Sequence, residues 1–130
     1  MNRSILDDGS AVIAVIGATD TPGKYGGRIY RDLKAKGFTV FAVNPRADTV
    51  DGDLAYGTVA DIPVPVDIVD VVVPASVGIS AVAALGDPAP VVWLQPGAQS
   101  REIVDHLTER GIDHIADGAC IMVETRRVSR

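Results

Sequence analysis

The sequence is poor in several things that define whole classes of protein. It holds one cysteine, Cys120, so no internal disulfide can form, which fits a reducing compartment. Aromatic residues make up 5% of the chain. No long apolar run is present. The longest stretch without charge, residues 71–86, is broken by Pro74, Ser76, Gly78 and Ser80, and it falls short of the ~20 apolar residues of a spanning helix. Residues 1–10 lack an apolar core and carry Asp7 and Asp8, unlike a signal peptide. These absences predict a cytoplasmic protein with no membrane association. Basic residues are also scarce over residues 47–125, where Arg101 and Arg110 face thirteen acids. With an overall charge of −5, that argues against nucleic acid as a partner.

What remains is a chain of 130 residues, 47% hydrophobic, with mean hydropathy +0.22. That length predicts one domain over residues 1–130, with its core at about 11–124. The first 46 residues hold seven Lys or Arg against four Asp, so the basic quarter could hold a local anion site.

Apolar runs at residues 11–16, 38–43, 67–73, 91–94 and 112–116 read as strands. Helical spacing appears in Tyr25, Ile29 and Leu33, with Gly37 as the stop. It recurs in Ile79, Val82, Ala83 and Leu85, where Ser76 reads as the cap. A third helix follows Ser100, with Glu102 in its first turn and Arg110 in its last. Between residues 46 and 65 the pattern weakens. Asp51-Gly52 reads as a turn, residues 58–62 as one helical turn capped by Thr58, and Pro63 and Pro65 as extended chain. Strands alternating with helices predict an α/β fold: a doubly wound, Rossmann-like, mostly parallel sheet of five strands with helices on both faces.

In such a sheet ligands sit beyond the carboxyl ends of the strands. The first of those loops reads Gly17, Ala18, Thr19, Asp20, Thr21, Pro22, Gly23 and Lys24. A glycine for the tight turn, two hydroxyls, a cation and a helix N-terminus beyond suit a pyrophosphate. The pattern is neither G-x-G-x-x-G, because Thr19 stands at the second glycine, nor a Walker A motif, because Tyr25 follows Lys24. After the second strand, where an NAD site carries a carboxylate, stand Asn44, Pro45 and Arg46. A cation there favours a nucleotide with an extra ribose phosphate, meaning NADP or coenzyme A.

Catalytic and metal sets are missing. His106 reads as a surface residue on the exposed side of its helix, and His114 has no paired ligand. Ser76, Ser80 and Ser100 read as caps or packing residues, Asp67 and Asp70 as turn or capping residues, and Trp93 as core.

Five stretches resemble a known family: IAVIGATDTPGKYG at 13–26, VFAVNPRAD at 40–48, YGTVADIPVPVDIVDVVVPAS at 56–76, VVWLQPGAQ at 91–99 and DGACIMVE at 117–124. Together they resemble the small single-domain CoA-binding proteins, whose fold is also the N-terminal domain of the succinyl-CoA synthetase α subunit. The resemblance implies a cleft for coenzyme A or an acyl-CoA. In it, residues 17–23 would meet the diphosphate, with Lys24 and Tyr25 standing where Ser-Tyr is common. Asn44, Pro45 and Arg46 would flank the adenosine end and its phosphate. Val73, Pro74 and Ala75 would line the cleft, and Gln95, Pro96 and Gly97 would close it. Cys120 falls one residue later than the family's Asp-x-Cys places it. The resemblance also implies a carrier, sensor or regulatory protein, not an enzyme, because ligase chemistry in the related synthetases uses a separate domain. An NADP or NAD regulatory module, and an interaction domain without ligand, are the alternatives. A homo-oligomer or another protein partner stays open.

Overall fold

The computed structural model describes Leu6, Asp7 and residues 9–128. The reading of residues 1–10 therefore falls mostly outside the described residues. At the centre is β1 (Val12–Ile16), with β2 (Thr39–Val43) on one side and β5 (Ile68–Val71) on the other, both parallel to it. Outward from β5 lie β6 (Val91–Leu94) and β7 (His114–Ile115). Outward from β2 lie β4 (Asp53–Tyr56), parallel, and then β3 (Thr49–Val50), antiparallel to β4. The seven-strand order is β3-β4-β2-β1-β5-β6-β7. The expected doubly wound, mostly parallel sheet is there, with two more strands than the sequence predicts.

Those two strands form a hairpin across Asp51-Gly52. Both turn residues have positive φ, 51° and 79°, the geometry that a two-residue hairpin turn needs.

The chain leaves β1 in one direction and β5 in the other, so right-handed crossovers put their helices on opposite faces. One face carries α1 (Tyr25–Ala35) and the short α4 (Ile121–Glu124) over Ile13, Val15, Ile68 and Trp93. The other carries α2 (Ala75–Ala83) and α3 (Arg101–Glu109) over Ala14, Ile16, Val69, Val71 and Leu94. Side chains alternate between the faces along every strand, so contiguous apolar runs fill both cores. α1 ends as expected. Gly37 and Phe38 N–H bond to the Lys34 and Leu33 carbonyls, and Leu33 and Phe38 are both buried. Ser100 caps α3 by accepting from Ile103 N–H at 3.3 Å.

Some local readings need correction. Ser76 does not cap α2. The N-cap is Pro74, which has no N–H to leave unpaired, and Ser76 lies in the exposed first turn. Thr58 does precede the 3₁₀ turn Val59–Asp61, but its hydroxyl donates to Asp61 Oδ2 instead of accepting an N–H. Asp70 is neither turn nor cap. It sits in mid-strand beside Val15 and Trp93, fully buried, and neither carboxyl oxygen has a hydrogen-bond partner. Burial pushes its carboxyl well above the usual carboxylate range. His106 is half-buried with Nε2 enclosed and unpartnered, because the buried stripe of α3 is wider than Ile103 and Leu107 alone. Trp93 is fully buried core, and its indole N–H donates to the Ala119 carbonyl at 2.9 Å.

Candidate functional site

The connection from β4 to β5, residues 57–67, is too short and too proline-rich for a full helix. It makes only the 3₁₀ turn Val59–Asp61 before Pro63 and Pro65. On that face the carboxyl ends of β1 and β2 are therefore left partly uncovered. The gap is a cleft of about 900 Å³, within the range of small-molecule and cofactor sites. Ile16 and Val43 are among its lining residues at the ends of β1 and β2. One wall is α2, through Val77, Ser80 and Ala81, continued by Ala84 and Leu85 just after it, and the opposite wall is residues 57–60. Its head is built by the loops after β1, β2 and β5.

The first loop owes its shape to glycines. Gly17 has φ 102°, and a Cβ on it would come within 2.8 Å of Val73 Cγ1. Cβ atoms on Gly26 and Gly27 would collide with the Gly17 and Thr19 carbonyl oxygens. The start of α1 thus packs backbone to backbone against the loop, which brings the positive end of the helix dipole to the cleft. Thr19 Oγ1 accepts from Thr21 N–H at 3.2 Å and donates to Thr21 Oγ1 at 3.1 Å. Both threonines line the cleft. Tyr25 stands half-exposed at the mouth with the Arg28 guanidinium 5.7 Å from its ring centre.

Of the residues singled out in the sequence, Gly17, Thr19, Thr21, Lys24, Tyr25, Asn44, Pro45, Arg46, Val73 and Pro74 line this cleft together. Asn44 also works as a tie. Its Nδ2 donates to the Ala18 carbonyl at 3.1 Å and its Oδ1 accepts from Arg46 N–H at 2.9 Å, which joins the first loop to the second. The structure does not bring Ala18, Asp20, Pro22, Gly23 or Ala75 to the lining. Nor does it bring Gln95, Pro96 or Gly97 there. Gln95 is on the α1 and α4 face, where Oε1 accepts from Ile121 N–H at 3.0 Å and Nε2 donates to Cys120 Sγ at 3.3 Å. It shares that face with Trp93, two residues earlier. Pro96 and Gly97 are exposed. Cys120 is half-buried beside Gln95 and lies outside the cleft.

Sequence reasoning missed the apolar lobe, because it arises from a helix that does not form. The paired Pro63 and Pro65 were its available signal.

Charge is distributed unevenly around the cleft. Among the described residues its only charged liners are Lys24 and Arg46, in a chain of net charge −5. Also among the described residues, no group of three His, Cys, Asp or Glu could hold a metal ion, and no helix is long and apolar enough to cross a membrane.

The fold and the cleft define a Rossmann-like domain whose cleft-lining loops lie at the reversal of strand order. The sequence profile of the CoA binding domain family matches residues 11–126, and the chain belongs to that family. An ADP-forming acetate–CoA ligase of Archaeoglobus fulgidus is 35% identical over 108 residues, which is 82% of this chain and 16% of the ligase. The chain thus spans about a sixth of that relative's length. YneT, an uncharacterized protein of Bacillus subtilis, is 34% identical over 113 residues, 85% of this chain and 82% of its own. Among solved structures, a conserved hypothetical protein of Pyrococcus furiosus superposes with TM-score 0.83 at 41% identity, covering 88% of this chain and 99% of the other. A hypothetical protein of Pyrococcus horikoshii gives TM-score 0.85 at 31% identity, covering 97% and 88%.

Proposed function

We propose that the cleft binds coenzyme A or an acyl-CoA, and that these residues act as one non-catalytic cytoplasmic domain, a carrier or sensor. The observation that carries this reading is the pairing of Lys24 and Arg46 as the cleft's only charges among the described residues, on the head loops of a cleft whose walls are largely apolar. Phosphates meet the head, at the glycine-built loop and the first turn of α1. The uncharged part of the ligand fills the lobe between α2 and the 3₁₀ turn. Membership of the family supports the choice of coenzyme A over NADP.

The test is discrimination by the 3′-phosphate. Arg46 is exposed, so solvent screening reduces its contact with that phosphate from the ~1.5–3 kcal/mol of a shielded one to roughly 1 kcal/mol. The expected preference for coenzyme A over dephospho-coenzyme A is then about fivefold. Arg46→Ala is expected to erase it and leave dephospho-coenzyme A affinity unchanged. Calorimetry with both ligands on both proteins closes the cycle. Equal wild-type affinities remove Arg46 as the phosphate reader; binding of NADP without coenzyme A overturns the assignment. The chain incubated with ATP, coenzyme A and carboxylic acids is expected to form no thioester. Cleft-dependent thioester formation would make it an enzyme.

A further inference from the structure

We propose that Asp20 is a positioning residue of the cleft: its carboxylate latches the phosphate loop to the tip of the β3–β4 hairpin. The proposal rests on the coenzyme A reading above and names what holds that site in shape. Asp20 belongs to the loop but not to the cleft lining. Its Oδ1 instead accepts the backbone N–H of Asp51 at 2.8 Å. Asp51 is the first turn residue of the hairpin, and ladder pairing stops at Val50 and Asp53. Its N–H is thus turned away from the ladder and available to a partner outside the hairpin.

The hairpin tip is in turn fixed to α1. Lys34 Nζ binds Asp53 Oδ2 at 2.8 Å and Asp51 Oδ2 at 3.1 Å, and Tyr30 Oη donates to Asp53 Oδ2 at 2.7 Å. Arg46 lies three residues before β3, on the strap of residues 44–48 that leads from β2 into the hairpin. Loop, strap and helix therefore meet at one turn, and the Asp20 contact closes the circuit that sets the spacing between Lys24 and Arg46. A loose loop would present the same groups to the ligand in many arrangements, at an entropic cost to binding.

Charge alone predicts the opposite effect. A carboxylate near an anion site repels the ligand, so deleting it should tighten binding. Positioning predicts that Asp20→Ala weakens coenzyme A binding ~3- to 10-fold, the scale of one hydrogen bond. Asp20→Asn, which keeps an acceptor oxygen and drops the charge, should bind within about twofold of wild type or tighter. Calorimetry measures the affinities, and amide hydrogen exchange at Asp51, without ligand, reads the latch. Exchange is expected to speed up in Asp20→Ala and stay slow in Asp20→Asn. Wild-type binding of coenzyme A with equal or tighter binding by Asp20→Ala overturns the positioning role and leaves the coenzyme reading intact. Weakening in Asp20→Ala that Asp20→Asn does not rescue overturns it as well. Failure of the wild type to bind coenzyme A overturns the coenzyme reading and the inference with it.

Discussion

The two faces of the sheet are filled by the same kind of apolar run but closed to different degrees. On one, α1 lies so near that Gly26 and Gly27 touch loop carbonyls, and α4 seals the far end. Lys36 fixes α4 there, donating to the Met122 carbonyl at 2.8 Å and Thr125 Oγ1 at 2.9 Å while pairing with Asp32. The seal is tight enough to shut a carboxyl, Asp70, wholly away from water. On the other, a three-residue turn stands where a crossover helix would lie, and β1 and β2 end at a cleft. The cleft thus opens at the place where the layer structure is incomplete. The close packing is on the opposite side, where α1 backs the glycine loop that follows β1.

The largest expected effect comes from forcing the closed face apart. Gly26→Ala sets a methyl group against the Gly17 carbonyl. Backbone is the obstacle, so no side chain can swing aside, and α1 must move off the loop. A loss of about 3 kcal/mol is expected, the upper part of the overpacking range, with a fall in Tm on the order of 10 °C. Coenzyme A binding should fall with it, because α1 and the loop carry the proposed phosphate site together. Thermal melts and calorimetry check both. A melting point within two or three degrees of wild type would mean that the face is not closed as described.

A smaller effect should appear at Asp70. Its native pKa is raised by burial, while in the unfolded chain it titrates near ~3.9. Between those two values the native state holds the extra proton. Stability is therefore highest below the unfolded pKa, falls as pH rises through this interval, and levels off above the native pKa. Asp70→Asn removes this dependence. Tm measured against pH for both proteins should diverge across the interval, with the variant gaining relative to wild type as pH rises. Parallel curves would show that Asp70 is not sealed.

Much of this contrast could be read from the sequence, and the unread part has a physical pattern. The inner strands were legible because both their faces are covered, which leaves contiguous runs such as AVIAVI and DIVDVVV. Asp70 was misread because an acid in such a run looks like a boundary until the register places it between Val15 and Trp93. The hairpin was missed because β3 has two residues and β4 four, too few for alternation to show. Asp51-Gly52 was nevertheless a hairpin signal as well as a turn. Of the loop residues chosen for their chemistry, Gly17, Thr19, Thr21, Lys24, Asn44 and Arg46 do line the cleft, while Ala18, Asp20, Pro22 and Gly23 do not. Gln95 was placed on the wrong side, although its two-residue spacing from the buried Trp93 fixes its face. The apolar lobe is space that no element fills, so its only trace in the sequence was indirect, the Pro63 and Pro65 that keep a helix from forming over it.

That space gives the smallest expected effect on stability and a clean complement to the first test. Ala81 lies in the last turn of α2, half-buried, and lines the cleft. Leucine has nearly alanine's helix propensity, and the added carbons enter a cleft of about 900 Å³ instead of a packed core. Ala81→Leu should change stability by no more than about 0.5 kcal/mol. The same carbons occupy the lobe assigned to the uncharged part of coenzyme A. Affinity should fall about tenfold, or ~1.4 kcal/mol, while the preference over dephospho-coenzyme A, set at Arg46, is retained. Gly26→Ala couples binding loss to unfolding, and Ala81→Leu should separate them. A destabilised Ala81→Leu would mean that the face over β1 and β2 closes in solution. Unchanged affinity in a stable variant would move the ligand out of the lobe.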